Sequence, residues 1–396
     1  MNKKTVRDID VRNKRVLVRV DLNVPIDAET GNITDETRIR AIVPTIKYLV
    51  GNEAKVILCS HLGRPKGQVI EPLRLWPVAE RLSRVMGKKV KVTHDCIGHD
   101  VSEAVAGMKA GDILLLENLR FHSGEEDNDD AFARSLAGLA DIYVNDAFGV
   151  AHRAHASTVG VTRYLPAVAG FLLEKEIDML HRELDVPARP FTAVVGGAKV
   201  SDKISLIDHM LDKVDNLLIG GGMVSTFLLA SGYEVGKSLI ERDKCDLAAS
   251  LMNKAKKKGI NLVLPVDLVV ADRFDKNADS KTVSISGIPA DWMVMDIGPE
   301  TIEVFIGKLK SSKTVMWNGP MGVFEFPAFG TGTNRIAETI AAIDATTVIS
   351  GGSSAEAVER MGLTSKVTHV STGGGASLKL LEGSILPGLD ALLDKD

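Results

Sequence analysis

Short apolar runs alternate with longer amphipathic stretches along the whole chain, and each run ends in a polar or glycine-rich loop. Runs such as Arg15–Val20 (RVLVRV) and Lys55–Cys59 (KVILC) have the length and β-branched content of buried strands. Strands that alternate with helical stretches predict a parallel sheet, and such a sheet binds ligands at the carboxyl ends of its strands. The loops that follow the strands are therefore the first place to look for function.

The predicted strands form two series, separated by a charged amphipathic segment at 170–184 (GFLLEKEIDMLHREL). The first series comprises 15–20, 55–59, 89–92, 112–116 and 141–144, with helices predicted at 37–49, 72–86 and 131–141. The second series comprises 191–195, 216–219, 260–265, 294–296, 314–317, 347–350 and 368–371. The segment 170–184 is predicted to be one helix that ends before Pro187 and Pro190.

The length of 396 residues exceeds the size at which one hydrophobic core usually stops growing. We therefore predict an α/β protein with two doubly wound, Rossmann-like parallel-sheet domains, joined by a helix and separated by a cleft.

Composition excludes several classes of protein. Hydrophobic residues make up 45% of the chain and charged residues 25%, which is typical of a folded globular protein. The net charge of −4 argues against nucleic-acid binding, and no apolar run reaches the ~18–20 residues of a membrane span. The charged N-terminus does not resemble a signal peptide, and three distant cysteines without CxxC spacing favour free thiols over disulfides or a zinc site. These features predict a cytoplasmic protein.

Charged and polar side chains follow the strands of the first series. They are Asp21 and Asn23 (RVDLNVP), His61 and Arg64 (SHLGRP), Arg120 (ENLRF), Arg153 (AHRAHAS) and, at a predicted helix start, Arg38. Guanidinium groups bind carboxylate and phosphate bidentately, and Asp21 could accept a hydrogen bond from a hydroxyl group. Any one of these arginines could be an ordinary surface residue. Their repeated position after strands favours a site for a small acid that carries a phosphate and a hydroxyl.

His152 and His155 could be read as metal ligands or catalytic groups. They lack HExxH spacing, and no nucleophile is paired with either. A structural or hydrogen-bonding role is favoured for both.

Glycine-rich turns follow the strands of the second series. They lie at 196–204 (GGAKVSDKI), 220–223 (GGGM), 317–325 (WNGPMGVFE), 350–354 (SGGSS) and 371–377 (STGGGAS). Glycine permits close approach of a backbone to a ligand, and helix N-termini attract phosphate. A helix that begins near Ser201 would place Lys199 and Lys203 on one face, where an anion between them would relieve their repulsion. Each turn alone could be a tight turn, but together they favour a nucleotide site.

The segment 231–238 (SGYEVGKS) resembles a P-loop, but it lacks the first glycine of that motif. It also follows a helix-like stretch, where a P-loop requires a strand. We interpret it as a surface loop. No GxGxxG follows the first strand, so a dinucleotide fold is unsupported.

The motifs quoted above occur in order from Arg19 to the C-terminus, and as a set they resemble the phosphoglycerate kinase family. The resemblance implies a two-lobed, monomeric enzyme of glycolysis that works by hinge closure. Its reaction is direct, reversible phosphoryl transfer from 1,3-bisphosphoglycerate to MgADP, which gives 3-phosphoglycerate and MgATP.

The resemblance also implies roles for individual residues. The phosphoglycerate ligands would be Asp21, Asn23, Arg38, His61, Arg64, Arg120 and Arg153. The nucleotide ligands would be Gly197, Lys203, Gly221, Gly222, Asn318, Pro320, Glu325 (on the ribose), Gly351, Gly352 and Ser353. Arg38 and Lys199 would be catalytic, because they would stabilise the phosphoryl group during transfer. The implied divisions are a phosphoglycerate-binding domain at 1–170, an interdomain helix at 171–186, a nucleotide-binding domain at 187–379, and a C-terminal segment at 380–396 that packs on the first domain.

The sequence departs from the family pattern in three places. Ser350 and Ser353 replace a glycine and the acidic residue of GGGD, so that Ser353 is left as the expected, weak contact to magnesium. Val294 replaces a common glycine near the expected adenine pocket, and Lys379 replaces a common glutamate. The departures leave two hypotheses open: an active kinase, or a phosphoglycerate-binding protein with a degraded nucleotide and magnesium site. The presence of Lys199, Lys203 and Glu325 favours the active kinase.

Overall fold

The computed structural model describes residues 2–27 and 29–395. The chain divides into two compact units, Met1–Asp178 with Ile385–Asp396 (unit 1) and Met179–Ser384 (unit 2). Within the described residues, each unit contains one parallel sheet of six strands, and unit 2 adds a three-stranded antiparallel sheet. The predicted α/β class with two parallel-sheet domains is confirmed.

The sheet of unit 1 has the order β3-β4-β2-β1-β5-β6, and every neighbouring pair is parallel. Its strands are β1 Arg15–Val20, β2 Lys55–Cys59, β3 Val90–Val92, β4 Ile113–Leu115, β5 Ile142–Asp146 and β6 Ala167–Ala169. Strand β1 lies between β2 and β5, and five of its six residues are buried, which explains its dense β-branched sequence. Strand β6 was not predicted.

Helices cover the sheet of unit 1. They are α1 Thr37–Ala41, α2 Val43–Gly51, α3 Trp76–Met86, α4 His99–Ala106, α5 Asp130–Ala137 and α6 Phe171–Ile177, with short 3₁₀ turns at Glu71–Leu73, Leu119–Phe121, Ser123–Glu125, Phe148–Val150 and Gly160–Arg163. All three predicted helices differ in extent from those observed, and the one expected over 131–141 is α5, which ends at Ala137. The helix predicted over 37–49 divides between α1 and α2, where Pro44 lies in the first turn of α2. The helix predicted from residue 72 begins at Trp76, one residue before Pro77.

The last residues of the chain belong to unit 1. The backbone amide of Leu393 donates to the carbonyl of Ala167 at 3.0 Å, and that of Gly388 donates to the carbonyl of Ala151 at 2.9 Å. Asn145 Nδ2 also donates to the carbonyl of Gly388 at 3.0 Å. These bonds attach the C-terminal segment to β6 and to the loop after β5.

The predicted single helix at 170–184 has three parts. Helix α6 is followed by a π-helical turn at Asp178–Arg182 and then by α7, Glu183–Asp185. A π-helical turn inserts one extra residue into the backbone hydrogen-bonding pattern. The division between the two units falls between Asp178 and Met179, inside this helical segment.

The parallel sheet of unit 2 has the order β15-β14-β13-β7-β8-β9. Its strands are β7 Phe191–Val195, β8 Asn216–Ile219, β9 Asn261–Val263, β13 Thr314–Asn318, β14 Thr346–Ser350 and β15 His369–Val370. Strands β7 and β13 are central, and all their residues are buried. The chain order reverses between these two strands, so a crevice forms at their carboxyl ends.

The antiparallel sheet of unit 2 corrects one expectation. Its strands are β10 Asp267–Ala271, β11 Ser280–Ser284 and β12 Met293–Ile297, in the order β11-β10-β12. We expected 294–296 among the strands of the parallel sheet, but β12 pairs with β10 instead. Strands β10 and β11 were not predicted; β11 (SKTVS) is polar and mostly exposed, so it carries little hydrophobic signal.

The remaining helices pack around these sheets. They are α8 Ile204–Met210, α9 Val224–Ala230, α10 Cys245–Lys258, α11 Pro299–Lys310, α12 Thr331–Ala342, α13 Gly352–Arg360, α14 Gly375–Leu381 and, in unit 1, α15 Pro387–Asp390, with 3₁₀ turns at Arg242–Lys244, Pro327–Phe329 and Thr364–Lys366. Among all the described helices, none combines the length and apolar character needed to cross a bilayer. Cys59, Cys96 and Cys245 are free thiols.

Candidate active site

The polar loops of unit 1 meet because the strands that precede them are neighbours. Strands β4, β2, β1 and β5 are adjacent and parallel, so the loops after them lie at the same edge of the sheet. Those loops carry the predicted residues Asp21, Asn23, His61, Arg64, Arg120 and Arg153, and Arg38 is in α1. The chain order reverses between β1 and β5, the place where open sheets bind ligands.

Gly63 joins three of these loops. Its amide donates to Asn23 Oδ1 at 2.8 Å, and its carbonyl accepts from Arg120 Nη1 at 2.9 Å. A side chain at this position would collide with Leu73, because an added Cβ would lie 2.8 Å from Leu73 Cδ2. Since Asn23 uses its oxygen on Gly63, its Nδ2 group is left as a donor for a ligand.

Asp21 and Arg38 form an ion pair. Arg38 Nη1 lies 2.7 Å from Asp21 Oδ2, and the other carboxylate oxygen accepts from the amide of Asn23 at 3.1 Å. The Asp21 side chain is 9% exposed and that of Arg38 is 34% exposed. The carboxylate therefore orients the guanidinium group, which keeps further donors for a ligand.

Arg120 is a buried cation in a positive environment. Its Nε lies 3.2 Å from Glu126 Oε1 but is not aligned for a hydrogen bond. Burial lowers the pKa of Arg120; Glu126 raises it, and the charges of Arg153 and Arg19 lower it further. A bound anion would relieve this crowding of positive charge.

Arg64 and Arg153 offer more accessible cations. Arg64 is exposed, and within the described residues it makes no ion pair with a carboxylate. Arg153 is half-buried in the loop after β5. The structure thus brings buried, half-buried and exposed guanidinium groups to one edge of the sheet.

Three residues of this region were missed in the sequence. Arg19 and Glu125 are fully buried, and Ser157 lies between them. The sequence signal for Arg19 was a charged residue inside the apolar run RVLVRV. The alternating pattern of a strand, taken alone, assigns such a residue to an exposed face. His155, for which a structural role was favoured, is buried, and its Nδ1 lies 3.7 Å from Glu125 Oε1.

In unit 2 the glycine turns after β7 and β13 lie side by side. The amide of Gly196 donates to the carbonyl of Asn318 at 2.9 Å, and that of Gly197 donates to the carbonyl of Pro320 at 3.1 Å. A cavity of about 170 Å³ opens there. It is lined by Gly197, Ala198, Lys199, Asp202, Lys203, Asn318, Gly319, Pro320, Gly351, Gly352 and Ser353.

Several glycines are needed for packing between turns. An added Cβ on Gly196 would lie 2.1 Å from the carbonyl oxygen of Pro320, and one on Gly221 (φ +72°) would lie 2.5 Å from the amide nitrogen of Gly197. Gly352 differs, because a Cβ there would meet nothing within 4 Å. Its open surroundings leave room for a ligand against the backbone.

Lys203 is held at the cavity by a hydrogen bond to the amide side chain of Asn318. Lys203 Nζ donates to Asn318 Oδ1, and Asn318 Nδ2 donates to Ser350 Oγ at 3.2 Å. Ser350 therefore orients the Asn318 amide so that its oxygen faces the lysine. Burial lowers the pKa of Lys203, while the charges of Asp202 and Glu382 raise it.

Helix α8 begins later than we predicted. It starts at Ile204 rather than near Ser201, because the segment before it folds as a turn whose Ser201 amide and hydroxyl donate to Glu241. Lys199 and Lys203 consequently precede the helix and do not share a helical face. Lys199 is exposed, and both lysines still line the cavity.

Helix α13 points its N-terminus into the cavity. It begins at Gly352, after Gly351 in a left-handed conformation (φ +91°), so its first amides lack intrahelical acceptors. Ser354 Oγ accepts from the amide of Gly319 at 2.6 Å, which attaches the helix to the turn after β13. Ser353 is exposed at the cavity. Free amides, the helix dipole and two lysines suit phosphate groups.

Other residues implied by the resemblance lie away from this cavity. Gly221 and Gly222 pack behind Gly197 and Ala198, and Glu325 is exposed in the loop after β13. Val294 is half-buried on β12, where its amide donates to Ser238 Oγ at 2.9 Å. Lys379 lies on α14, and its Nζ is 2.9 Å from Glu382 Oε2. The turn at 373–375 is not part of the cavity lining.

The donor set at the cavity suits a magnesium ion that enters with a nucleotide. Asp202 supplies a carboxylate and Ser353 a hydroxyl, and both line the cavity. Magnesium commonly uses one or two carboxylates together with waters and substrate phosphates. Asp202 was missed as a candidate, although it lies between the two lysines in KVSDK.

The family model for phosphoglycerate kinase matches residues 6–384. The chain belongs to the phosphoglycerate kinase family. Curated phosphoglycerate kinases from Moorella thermoacetica and Pelotomaculum thermopropionicum are each 57% identical to it over 395 residues, which cover 100% of both chains. The solved phosphoglycerate kinase structure from Coxiella burnetii is 40% identical with a TM-score of 0.90, and that from Pyrococcus horikoshii is 32% identical with a TM-score of 0.84. Each structural match covers 98% of both chains.

These comparisons identify the chain as a phosphotransferase of the phosphoglycerate kinase type. They give no support to the alternative of a phosphoglycerate-binding protein with an impaired nucleotide site.

Proposed function

We propose that the chain catalyses reversible, direct phosphoryl transfer between 1,3-bisphosphoglycerate and MgADP, which gives 3-phosphoglycerate and MgATP in glycolysis. The observation that supports this most strongly is the convergence of Lys199, Lys203 and the N-terminus of α13 on one glycine-lined cavity. Such a cavity suits nucleotide phosphates.

The acid is proposed to bind at the carboxyl edge of the unit 1 sheet. Its ligands are Asp21, Asn23, Arg38, His61, Arg64, Arg120 and Arg153. The buried cation of Arg120 and the accessible one of Arg64 supply charge for a phosphate and a carboxylate. Asn23 Nδ2 supplies a neutral donor, since its oxygen is already bonded to Gly63.

The nucleotide is proposed to bind in unit 2. The residues proposed to form this site are Gly197, Lys203, Gly221, Gly222, Asn318, Pro320, Glu325, Gly351, Gly352 and Ser353. Of these, Gly221 and Gly222 support the turn at Gly197 from behind. Glu325, which is exposed, is assigned to the ribose.

Transfer is proposed to depend on positioning and charge. No covalent enzyme intermediate is needed, and Arg38 and Lys199 stabilise the charge on the transferred phosphoryl group. The reacting atoms must approach within ~3–3.5 Å, so we propose that a hinge motion of the two units brings the substrates together and excludes water.

Magnesium is proposed to enter as part of the nucleotide substrate, with Asp202 and Ser353 as the residues that would hold it. When bound, it neutralises part of the phosphate charge. We also propose a cytoplasmic monomer. The free thiols support a reducing compartment, and each proposed site is built within a single chain.

A coupled assay tests the proposed function. The full-length protein should form ATP from 1,3-bisphosphoglycerate and MgADP, and Lys256→Ala, a change of an exposed lysine on α10, should retain that rate. Folded protein that forms no ATP from 1,3-bisphosphoglycerate and MgADP would reject the proposal.

A further inference from the structure

A buried network connects β1 to the loop after β5, beside the proposed phosphoglycerate ligands. Arg19 and Glu125 are each 0% exposed. Arg19 Nε donates to Ser157 Oγ at 2.8 Å, and Ser157 Oγ donates to Glu125 Oε1 at 2.6 Å. Buried charges are retained where they are paired and hydrogen-bonded, and here one hydroxyl links the cation to the anion.

The anion at the end of this network is firmly held. Glu125 Oε2 accepts from the amide of Ser157 at 2.9 Å. Burial raises the pKa of Glu125, but His155, Arg19 and Ser157 outweigh that effect, so the pKa is lowered and the carboxylate is charged at neutral pH. The positive charge of Arg19 therefore has a permanent counter-charge within the protein.

The other end of the network contacts His61. Arg19 Nη1 donates to the carbonyl of Val20, and Arg19 Nη2 lies 3.2 Å from His61 Nδ1. A guanidinium group has five N–H donors and no acceptor, and it does not lose its proton in proteins. His61 Nδ1 must therefore accept this bond, and an accepting nitrogen carries no proton. In a neutral imidazole the proton is then on Nε2.

The surrounding charges oppose a second proton on His61. Its pKa lies well below the ordinary value, first because the ring is buried and then because of the charges of Arg19, Arg120 and Arg38, with His155 adding to them. The same groups thus favour a neutral ring, while the Arg19 contact selects which nitrogen carries the proton.

We propose that Arg19, held by Ser157 and Glu125, is a positioning residue that fixes His61 in the tautomer with its proton on Nε2. For the acid site, which rests on the function proposed above, this makes His61 a hydrogen-bond donor to phosphoglycerate. A neutral donor gives directional recognition of the acid without adding a further positive charge beside Arg38 and Arg120.

Nitrogen NMR of the full-length protein labelled with ¹⁵N-histidine tests the tautomer directly, with His61→Gln to assign the His61 signals. At neutral pH we expect Nδ1 to be unprotonated and Nε2 to be protonated in the ligand-free protein. A proton on Nδ1, or on both nitrogens, overturns the proposal. The spectrum requires no turnover, so its outcome is separate from that of the kinase assay.

Two variants test the role of the network. Ser157→Ala removes the link to Glu125, and Arg19→Lys keeps the charge but loses the planar fork. Both should shift the His61 signals toward a mixture of tautomers and raise the Kd of 3-phosphoglycerate by roughly three- to tenfold, the effect of one hydrogen bond. The Kd of MgADP should not change.

Arg15→Lys is the matched control, because Arg15 lies on the same strand and pairs with Asp141 at 2.6 Å. It should alter neither the His61 signals nor the affinity for 3-phosphoglycerate. Weaker acid binding with an unchanged His61 tautomer would show a purely structural role for the network and overturn the proposal. If either variant fails to fold, the spectrum of the unaltered protein still shows which nitrogen of His61 carries the proton, and a proton on Nδ1 overturns the proposal.

Discussion

At the scale of single residues, the two proposed sites hold their charges differently. In unit 1 two of the guanidinium groups are fixed by the protein, because Asp21 pairs with Arg38 and the carbonyl of Gly63 accepts from Arg120. In unit 2 Lys199 is exposed, while Lys203 is oriented by Asn318. An exposed lysine can adjust to a moving phosphoryl group, whereas fixed arginines suit a substrate that must be held in one orientation.

Lys199→Ala should therefore reduce turnover much more than it weakens acid binding. We expect kcat to fall by about 10²- to 10³-fold, the loss seen when one preorganised charge-stabilising group is removed. The Kd of 3-phosphoglycerate should be unchanged, because the charge is used in the transition state. Steady-state kinetics and calorimetry on the same preparation provide both values. Equal losses in kcat and in acid affinity would contradict this role.

Ser353→Asp should strengthen magnesium-dependent nucleotide binding. A carboxylate at this position would add a charged oxygen ligand beside Asp202, and one such contact corresponds to about tenfold or more in affinity. Calorimetry should show tighter binding of MgADP but not of ADP without magnesium. Ser353→Asn, which has the same shape without the charge, is the control. Tighter binding of both nucleotide forms would contradict a metal contact at this position.

Residue identities were readable from the sequence only where the motif is local. Lys203 and Asn318 are each in a recognisable turn, and the structure places both in the cavity. Arg19 was missed because its burial depends on Glu125 and Ser157, which are distant in sequence. The function of Ser350 was also hidden: it looked like the loss of a glycine, yet its hydroxyl orients Asn318.

At the scale of elements, buried strands and their loops were predictable, but boundaries were set by contacts that the local pattern does not contain. The central strands β1, β7 and β13 are almost entirely buried, and their runs are mainly apolar with several β-branched residues, so their sequences identify them. The polar strand β11 has no such pattern. The start of α8 could not be predicted, because Ser201 is held outside the helix by Glu241, a contact between separate loops.

The N-terminus of α6 depends on a buried carboxyl group at the end of β5. Asp146 Oδ1 accepts from the amides of Leu172 and Leu173 at 2.9 and 3.2 Å. Burial raises the pKa of Asp146 from 3.8 to about 7, although Thr45 and these two amides lower it. Between about pH 4 and pH 7 this carboxyl group loses its proton in the unfolded chain but keeps it in the folded protein. Rising pH therefore favours unfolding. The contribution of Asp146 to the stability of the folded protein is complete below about pH 4 and is lost as pH rises to about 7.

Asp146→Asn should remove this pH dependence. The free energy of unfolding of both proteins can be measured with denaturant at several pH values. As pH rises from about 4 to about 7, that of the unaltered protein should fall relative to that of the variant. The relative loss should be a few kcal/mol at most. Asp127→Asn, at an exposed position in the same unit, is the control. A difference that grows in favour of the unaltered protein over this range would contradict the raised pKa.

At the scale of the whole molecule, each unit has its own hydrophobic core and its own proposed ligand. The core of unit 1 is built on residues such as Val18, Val56 and Val144, and that of unit 2 on residues such as Val194 and Trp317. The two-domain fold was predictable from length and from the two series of strands. The two proposed binding sites have separate ligands on separate units. A substitution in one site should therefore weaken binding of that site's ligand without weakening binding of the other ligand.

Calorimetric titration of Arg64→Ala and Lys203→Ala, each with 3-phosphoglycerate and with MgADP, tests this separation most directly. The account predicts that Arg64→Ala weakens binding of 3-phosphoglycerate by about tenfold or more and leaves MgADP affinity unchanged, and that Lys203→Ala has the opposite effect. Folded variants in which either change weakens both ligands equally, or weakens neither, would contradict the assignment of the acid to unit 1 and the nucleotide to unit 2.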